Sequence, residues 1–387
     1  MKGHIRKHRD SWAIIVELPS DPQTGKRRQK WVTLKGTRKD AETKLSELLH
    51  QVNTGSFSRP GKKLTVENFL TQWLNDYAAI NVRPLTNQSY EHWIKKQIIP
   101  AIGGVLLSRL QPSHLQTFYR KALETGRIDG KGGLSPRSVV HIHRILHDAL
   151  SYAVQCKLLS CNIADTIKPP KARHKEMRTL DSVGVSKLLE ASKDTVYYPI
   201  FHLAVYTGMR RSELLGLRWR AVDLDTATVS VTQVLHHLRD GSIQFQEPKS
   251  QKGKRQIALS PVAVIGLREH KQKQDLERLD CLMKGAPVAN DDLVFSNSDG
   301  SPLLPNSVTH AFIKTVRRLG LHGVRFHDLR HTHATLMLKQ GVHPKIVSER
   351  LGHSTIGITL DTYSHVTPGL QEAAALRFEQ CLQQHDV

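Results

Sequence analysis

The sequence predicts a multidomain α+β protein: a small sheet packed on a helix, then a helical bundle, then a helix-rich domain with a small antiparallel sheet. Three observations predict it. The chain has 387 residues, a length that suits two or three domains, and its 39% hydrophobic content is enough to build real cores. Its apolar spacing changes from strand-like to helical and then to mixed. A proline pair, Pro169-Pro170, stands at the second change.

Residues 1–57 open with a strand-like run from Ser11 to Leu18, a turn-forming stretch from Asp21 to Gly25, and a second run from Lys26 to Leu34. After Gly36 and Thr37, apolar residues at 41, 45, 48, 49 and 52 fall on one face of a helix. This segment carries 12 Lys plus Arg against 6 Asp plus Glu, and Lys26, Arg27, Arg28 and Lys30 crowd one hairpin as candidate DNA contacts. A solvated strand face is the plainer reading of the same charges. Residues 62–167 read as about four helices, over Val66–Tyr77, Thr86–Ile99, Ser113–Leu123 and Ser135–Lys157. Pro84, Pro100, Pro112 and the glycines between 126 and 133 punctuate them. In the last of these helices His141, His143, Arg144 and His147 share a face opposite Val140, Ile145, Leu146 and Ala149, which by itself is an ordinary amphipathic helix. Residues 168–178 hold two prolines and five basic residues, so an extended basic linker is expected, with Lys171 and Arg173 able to follow a phosphate backbone. Residues 179–387 form the last domain, with helices near 181–192 and 196–207, strands near 228–234 and 255–259, and helices from Pro261 onward.

The net charge of +21, from 56 Lys plus Arg against 35 Asp plus Glu, favours a polyanionic partner, nucleic acid first. Charge says nothing about catalysis. Cys156, Cys161, Cys281 and Cys381 show no C-x-x-C spacing and read as thiols of a reducing cytosol; the 22 histidines are scattered, so no metal or cofactor is expected. The basic N-terminus is not followed by a signal-length apolar run, and no stretch of 18 apolar residues occurs, so a cytoplasmic protein without membrane contact is expected.

The chemistry gathers in three places. Tyr363 lies 33 residues after Arg330, and Tyr206-Thr207-Gly208-Met209-Arg210 lies about 120 residues before it. Two arginines suit the non-bridging oxygens of a phosphodiester, because a guanidinium stays charged and donates in a planar fork. His327 and Arg330, three apart, share one helical face, and Glu213 falls on the same face as Arg210. Gly352 allows a reversal before His353, ten residues ahead of Tyr363. Together these residues suggest a phosphate pocket with a phenol nucleophile.

In these motifs the chain resembles the tyrosine recombinases, or phage-type integrases. The family pattern Thr-Gly-x-Arg-x-x-Glu falls on Thr207, Gly208, Arg210 and Glu213, with Arg211 as a competing arginine. His-x-x-Arg falls on His327 and Arg330, followed by His331, Thr332 and His333. The resemblance implies a catalytic set of Arg210, Lys249, His327, Arg330, His353 and the nucleophile Tyr363, with His327 available to accept the phenol proton. It also implies a lysine on a β-hairpin as general acid. Lys249 fits the Pro-Lys pattern, although Ser250 stands where threonine is usual, and Lys252 and Lys254 remain alternatives. Residues 1–57 would be an arm-type DNA-binding domain with a three-stranded sheet, and 62–167 a core-binding domain that clamps the duplex, with His143 and Arg144 as candidate DNA contacts. The tail helix, apolar at 370, 373, 374, 378 and 381, would dock into a neighbouring protomer.

The implied activity is site-specific DNA recombination for a phage or other mobile element. It would run through a 3′-phosphotyrosyl intermediate and a tetramer on double-stranded attachment sites, without metal or ATP, with an excisionase and a host DNA-bending protein as possible partners. Three rivals stand beside it. These are a relaxing topoisomerase, a catalytically inactive DNA-binding regulator or architectural protein, and a metal-dependent nuclease or transposase, for which no carboxylate triad is apparent.

Overall fold

The computed structural model describes residues 3–18, 27–53, 64–172, 177–285, 289, 292–363, 375–376 and 378–379. Lys26, Arg173, the side chain of Arg28 and most of the expected tail helix lie outside this set. Two compact units divide the chain, residues 1–174 and 175–387.

In the first unit, β1 (Gly3–His8), β2 (Ser11–Leu18) and β3 (Arg28–Leu34) form an antiparallel sheet in that order. Helix α1 (Arg38–Asn53) starts where Asp40 Oδ2 accepts from the backbone N–H of Thr37 (2.9 Å). Ile14 and Val16 of β2 bury against Ala41, Leu48 and Val52 of α1, the face that the helical spacing predicts. On the other face the register aligns His4, Ile15 and Trp31 across the strands, and Trp31 is 63% exposed.

A second core in this unit comes from helices. Helix α2 (Val66–Trp73), capped by Thr65, runs without a break through a π-turn at Leu74–Ala78 into α3 (Ala79–Asn81). Helix α4 (Pro84–Trp93) passes through a second π-turn, Ile94–Ile98, into α5 (Ile99–Ile102). The chain therefore stays helical through Pro100, where the sequence predicts a stop at Ile99. A proline lacks the N–H for the i−4 bond and its ring crowds the preceding turn, and here the wide π-turn directly precedes it. Helices α6 (Pro112–Thr125) and α7 (Pro136–Gln155), the latter capped by Ser135, complete the layer. Phe69, Leu70, Ile94, Ile98, Leu115 and Ile142 are among its buried residues.

In the second unit, α8 (Ser182–Ser192), α9 (Tyr198–Thr207) and α10 (Arg211–Leu215) precede short strands. Strand β5 (Thr228–Val231) pairs antiparallel with β4 (Val222–Asp223) on one side and with the later β8 (Arg255–Ala258) on the other, while β6 (Val234–His237) and β7 (Ile243–Gln246) form a separate hairpin. The strand expected over 228–234 is thus two strands in two sheets. Gln233 marks the break, its side-chain amide donating to the Gly216 carbonyl (2.7 Å). Helices α11 (Pro261–Met283), α12 (Pro305–Arg318), α13 (Asp328–Lys339), α14 (Pro344–Leu351) and α15 (Ile356–Tyr363) follow. Phe201, Phe312 and Phe326 meet in the main core, with Phe312 edge-on to Phe201 at 5.4 Å and to Phe326 at 5.6 Å. A smaller cluster of Ala334, Leu338, Val347, Leu351 and Tyr363 joins α13, α14 and α15.

Candidate active site

Two left-handed glycines shape this site. Gly208 ends α9 at φ +65°, and a Cβ there would come within 2.7 Å of Leu351 Cδ2 and 2.8 Å of His333 Cδ2. Gly352 ends α14 at φ +68°, where a Cβ would meet the Lys252 carbonyl oxygen at 2.8 Å and Arg255 Cδ at 2.9 Å. Each position needs both the missing side chain and the αL backbone that glycine adopts without strain.

Arg210 follows the first glycine turn and caps α10. Its Nη1 donates to Glu213 Oε1 (2.7 Å), and its backbone N–H donates to Glu213 Oε2 (2.9 Å), so Glu213 holds Arg210 as the shared face predicts. The buried Glu213 also accepts from Arg255, Nη1 at 3.2 Å and Nη2 at 2.9 Å. Burial alone would raise the Glu213 pKa. The hydrogen bonds and charge of Arg255, with the charge of Arg210, outweigh it and bring the value down to about 2. Arg211 points elsewhere: its Nη1 donates to the Pro305 carbonyl (3.1 Å) and to Thr309 Oγ1 at the start of α12.

On α13, Arg330 is 3% exposed. Its Nη1 donates to the Gly208 carbonyl (2.9 Å) and its Nη2 to the Leu351 carbonyl (2.6 Å), so one guanidinium ties together the two glycine turns. Burial and then the charge of Arg210 lower its pKa to about 9, which leaves it protonated at neutral pH. Arg210 and Arg255 pair directly with Glu213, and Arg330 feels its charge as well, so the guanidiniums outnumber the carboxylate here.

Burial and neighbouring guanidiniums push the pKa of both His353 and His327 down. His353 Nδ1 is hydrogen-bonded to Thr359 Oγ1 (2.8 Å), and desolvation followed by the charges of Arg330 and Arg210 pushes its pKa down to about 3. His327 keeps an exposed edge; the protein around its ring, then Arg330 and Arg210, lower its pKa. Tyr363 is 2% exposed, and its hydroxyl is hydrogen-bonded to His331 Nδ1 at 2.7 Å. The ring of His327, the acceptor the family resemblance implies, lies edge-on to His331 at 5.1 Å. Burial pushes the Tyr363 pKa up to about 12, and the nearby Arg330 opposes that shift.

The three hairpin lysines part ways. Lys249 is exposed beside Ser250, Lys254 pairs with Glu247 (2.8 Å), and Lys252 Nζ donates to the Ser354 carbonyl next to His353 (2.8 Å). Arg255 Nε donates to the Arg350 carbonyl (2.7 Å), which fixes β8 against α14. The structure thus brings Arg210, His327, Arg330, His353 and Tyr363 into one electrostatic neighbourhood, with Lys252 at its edge. Of the candidate DNA contacts in the first unit, Arg27, Arg144 and Lys171 are exposed and Lys30 is half-buried. His143 is half-buried and hydrogen-bonded to the Tyr119 hydroxyl (3.0 Å). Sequence reasoning passed over His331 and Arg255. His331 had a readable signal, since it lies four residues after His327 and hence on the same helical face. Arg255 stood in the Arg-x-Ile part of the family pattern, at the start of a strand, with no role attached to it.

Comparisons with known proteins come in two kinds. By sequence, the family described as "Phage integrase family" matches residues 178–369, and "Phage integrase, N-terminal SAM-like domain" matches 65–123. A protein named "Tyrosine recombinase XerC-like" from Caldanaerobacter subterraneus subsp. tengcongensis is 26% identical over 384 residues, covering 95% of each chain. By structure, the Tn1549 transposon integrase in complex with transposon right-end DNA superposes with a TM-score of 0.68 at 20% identity, over 82% of this chain and 100% of that one. A lambda integrase tetramer bound to a Holliday junction superposes with a TM-score of 0.54 at 19% identity, over 91% of this chain and 95% of that one. These two structural likenesses establish the fold.

Proposed function

The chain belongs to the phage integrase family, and from that premise we propose that it is a tyrosine site-specific recombinase that integrates and excises a phage or other mobile element. The observation that carries this reading is the joining of a buried phenol to a surplus of guanidinium charge. Tyr363 lies in the field of Arg330, and Arg330 lies in the field of Arg210.

The chemistry follows from the groups present. The Tyr363 oxygen attacks phosphorus, the phenol proton passes to an imidazole of the segment 327–331, and the bond to the 5′ oxygen breaks. Charge building on the non-bridging oxygens is met by Arg210, Arg330 and the N–H of His353. The leaving 5′ oxygen takes its proton from the hairpin, for which Lys249 is the first choice and Lys252 and Lys254 the alternatives. The product is a 3′-phosphotyrosyl link and a free 5′ hydroxyl. The reverse attack by a partner strand's hydroxyl restores the backbone with one phosphoester exchanged for another, so the balance requires no ATP and, with cations in place, no metal.

Residues 1–57 act as an arm-type DNA-binding domain, for which Lys26, Arg27, Arg28 and Lys30 are the candidate phosphate contacts. Residues 62–167 are the core-binding domain, with His143 and Arg144 toward the duplex. Residues 168–178 are a basic linker contributing Lys171 and Arg173, and 179–387 form the catalytic domain, with Lys252 and Lys254 also near phosphate. Four protomers act on two double-stranded attachment sites, in the cytoplasm at the nucleoid of a bacterial host. An excisionase and a host bending protein set direction.

A two-plasmid assay tests this reading. Plasmids carrying paired ends of the DNA element that encodes the chain are incubated with purified protein in EDTA. Recombinant junctions are expected. Relaxation without exchange points to a topoisomerase, binding without cleavage to a regulator, and cleavage abolished by EDTA to a metal-dependent nuclease.

A further inference from the structure

We propose that His331 is the catalytic base of this site, accepting the proton of the Tyr363 hydroxyl through Nδ1 as the oxygen attacks phosphorus. This rests on the recombinase reading and goes beyond it by naming the proton's destination.

The Tyr363 hydroxyl and His331 Nδ1 are 2.7 Å apart, within the reach that a general base needs of the proton it takes. Asp328, Arg330 and His331 share the first turn of α13, just after His327. One rigid element therefore presents an oxygen-binding cation and a proton acceptor to the same phosphate, separated by a single residue step. The His331 ring lies 5.8 Å from the Tyr363 ring and edge-on to the His327 ring at 5.1 Å. With the imidazole proton on Nε2, Nδ1 is the acceptor and the phenol the donor.

The surroundings keep that acceptor open. Burial first, then His327, with Arg330 and Arg325 also contributing, push the His331 pKa down to about 4, while Asp328 opposes the shift; the ring is neutral before attack, and as a weak base it takes the proton only in concert with formation of the phosphorus–oxygen bond. A neutral imidazole can take a proton; a charged one cannot. His327 and His353 are then left to the phosphate oxygens. The step balances: the Tyr363 O–H bond breaks and an Nδ1–H bond forms, a phosphorus–Oη bond forms and the phosphorus–O5′ bond breaks. The 5′ oxygen is protonated from the hairpin, and religation returns the proton from Nδ1 to the phenol.

Single-turnover covalent-adduct formation tests the proposal. The probe is a nicked duplex built from the end sequence of the encoding element, given to the wild-type chain and to His331→Ala and His331→Gln. Thermal melting and DNA-affinity measurements on each variant establish folding. Glutamine can accept the phenol's hydrogen bond through Oε1 but cannot take its proton. The expected result is a loss of about 100-fold in both variants at neutral pH, with DNA affinity within twofold of wild type and part of the alanine variant's rate restored by added imidazole. Wild-type rates in either folded variant, or a faster rate in His331→Ala, overturn the proposal, the second outcome marking the hydrogen bond as one that parks the phenol. A glutamine variant that stays active while the alanine variant fails assigns His331 to positioning and likewise overturns the base role. A wild-type chain that forms no adduct fails the recombinase reading itself, and the proposal falls with it.

Discussion

Glu213 is the residue on which the site's order depends. Buried at 2% exposure, it holds Arg210 and Arg255 at once, and removing one partner of a buried ion pair leaves the other charge uncompensated. Glu213→Gln is expected to cost about 3–5 kcal/mol of stability, read by urea denaturation at pH 7. A loss no larger than that of an exposed surface pair would contradict the network. Because the carboxyl's folded pKa lies near 2, below its usual value of 4.5, its contribution is fully present above about pH 4.5 and is lost as the pH falls toward 2. Wild-type stability should therefore fall through that window more steeply than that of Glu213→Gln. At this scale much was legible. Spacing alone put His327 with Arg330 and Glu213 with Arg210, because i,i+3 neighbours share a helical face. The roles of Arg255 and Lys252 were not legible, since contacts across 42 residues, from Arg255 to Glu213, and 102 residues, from Lys252 to Ser354, leave no local pattern.

At the scale of elements, the site is made by helix ends. Gly208 and Gly352 terminate α9 and α14, and the Arg330 side chain spans from the Gly208 carbonyl to the Leu351 carbonyl. Gly352→Ala forces a Cβ into the αL region, at about 1–2 kcal/mol, and against the Lys252 backbone at 2.8 Å. It should lower the melting temperature and slow adduct formation while leaving salt-dependent DNA affinity unchanged. Equal activity in the variant would show that the turn does not set the pocket. The helices with strong apolar periodicity were readable, α1 and α7 above all. The β6–β7 hairpin was not, because its strands are only four residues long and β6, Val234-Leu235-His236-His237, does not alternate. The passage of a helix through Pro100 was also hidden, since a π-turn leaves no mark in apolar spacing.

For the whole molecule, the charge of +21 sets how DNA is held. If six to ten phosphates are contacted, DNA affinity should fall by about 10³–10⁵ between 50 and 200 mM salt. A flat salt profile would remove the electrostatic basis of the reading. Truncation after His365 should weaken synapsis of two DNA sites more than cleavage of one, and equal losses would count against tail docking. The fold class was legible because length, proline punctuation and shifts of periodicity are global signals. Which lysine faces the leaving oxygen was not, because three candidates sit within six residues of one turn. The central claim is that Tyr363 is a nucleophile, and denaturing electrophoresis of the chain with the nicked element-end duplex, in EDTA, measures it. The account predicts a covalent protein–DNA adduct from the wild type and none from a folded, DNA-binding Tyr363→Phe variant. An adduct that persists in Tyr363→Phe, or no adduct from a wild type that binds the duplex tightly, would contradict it.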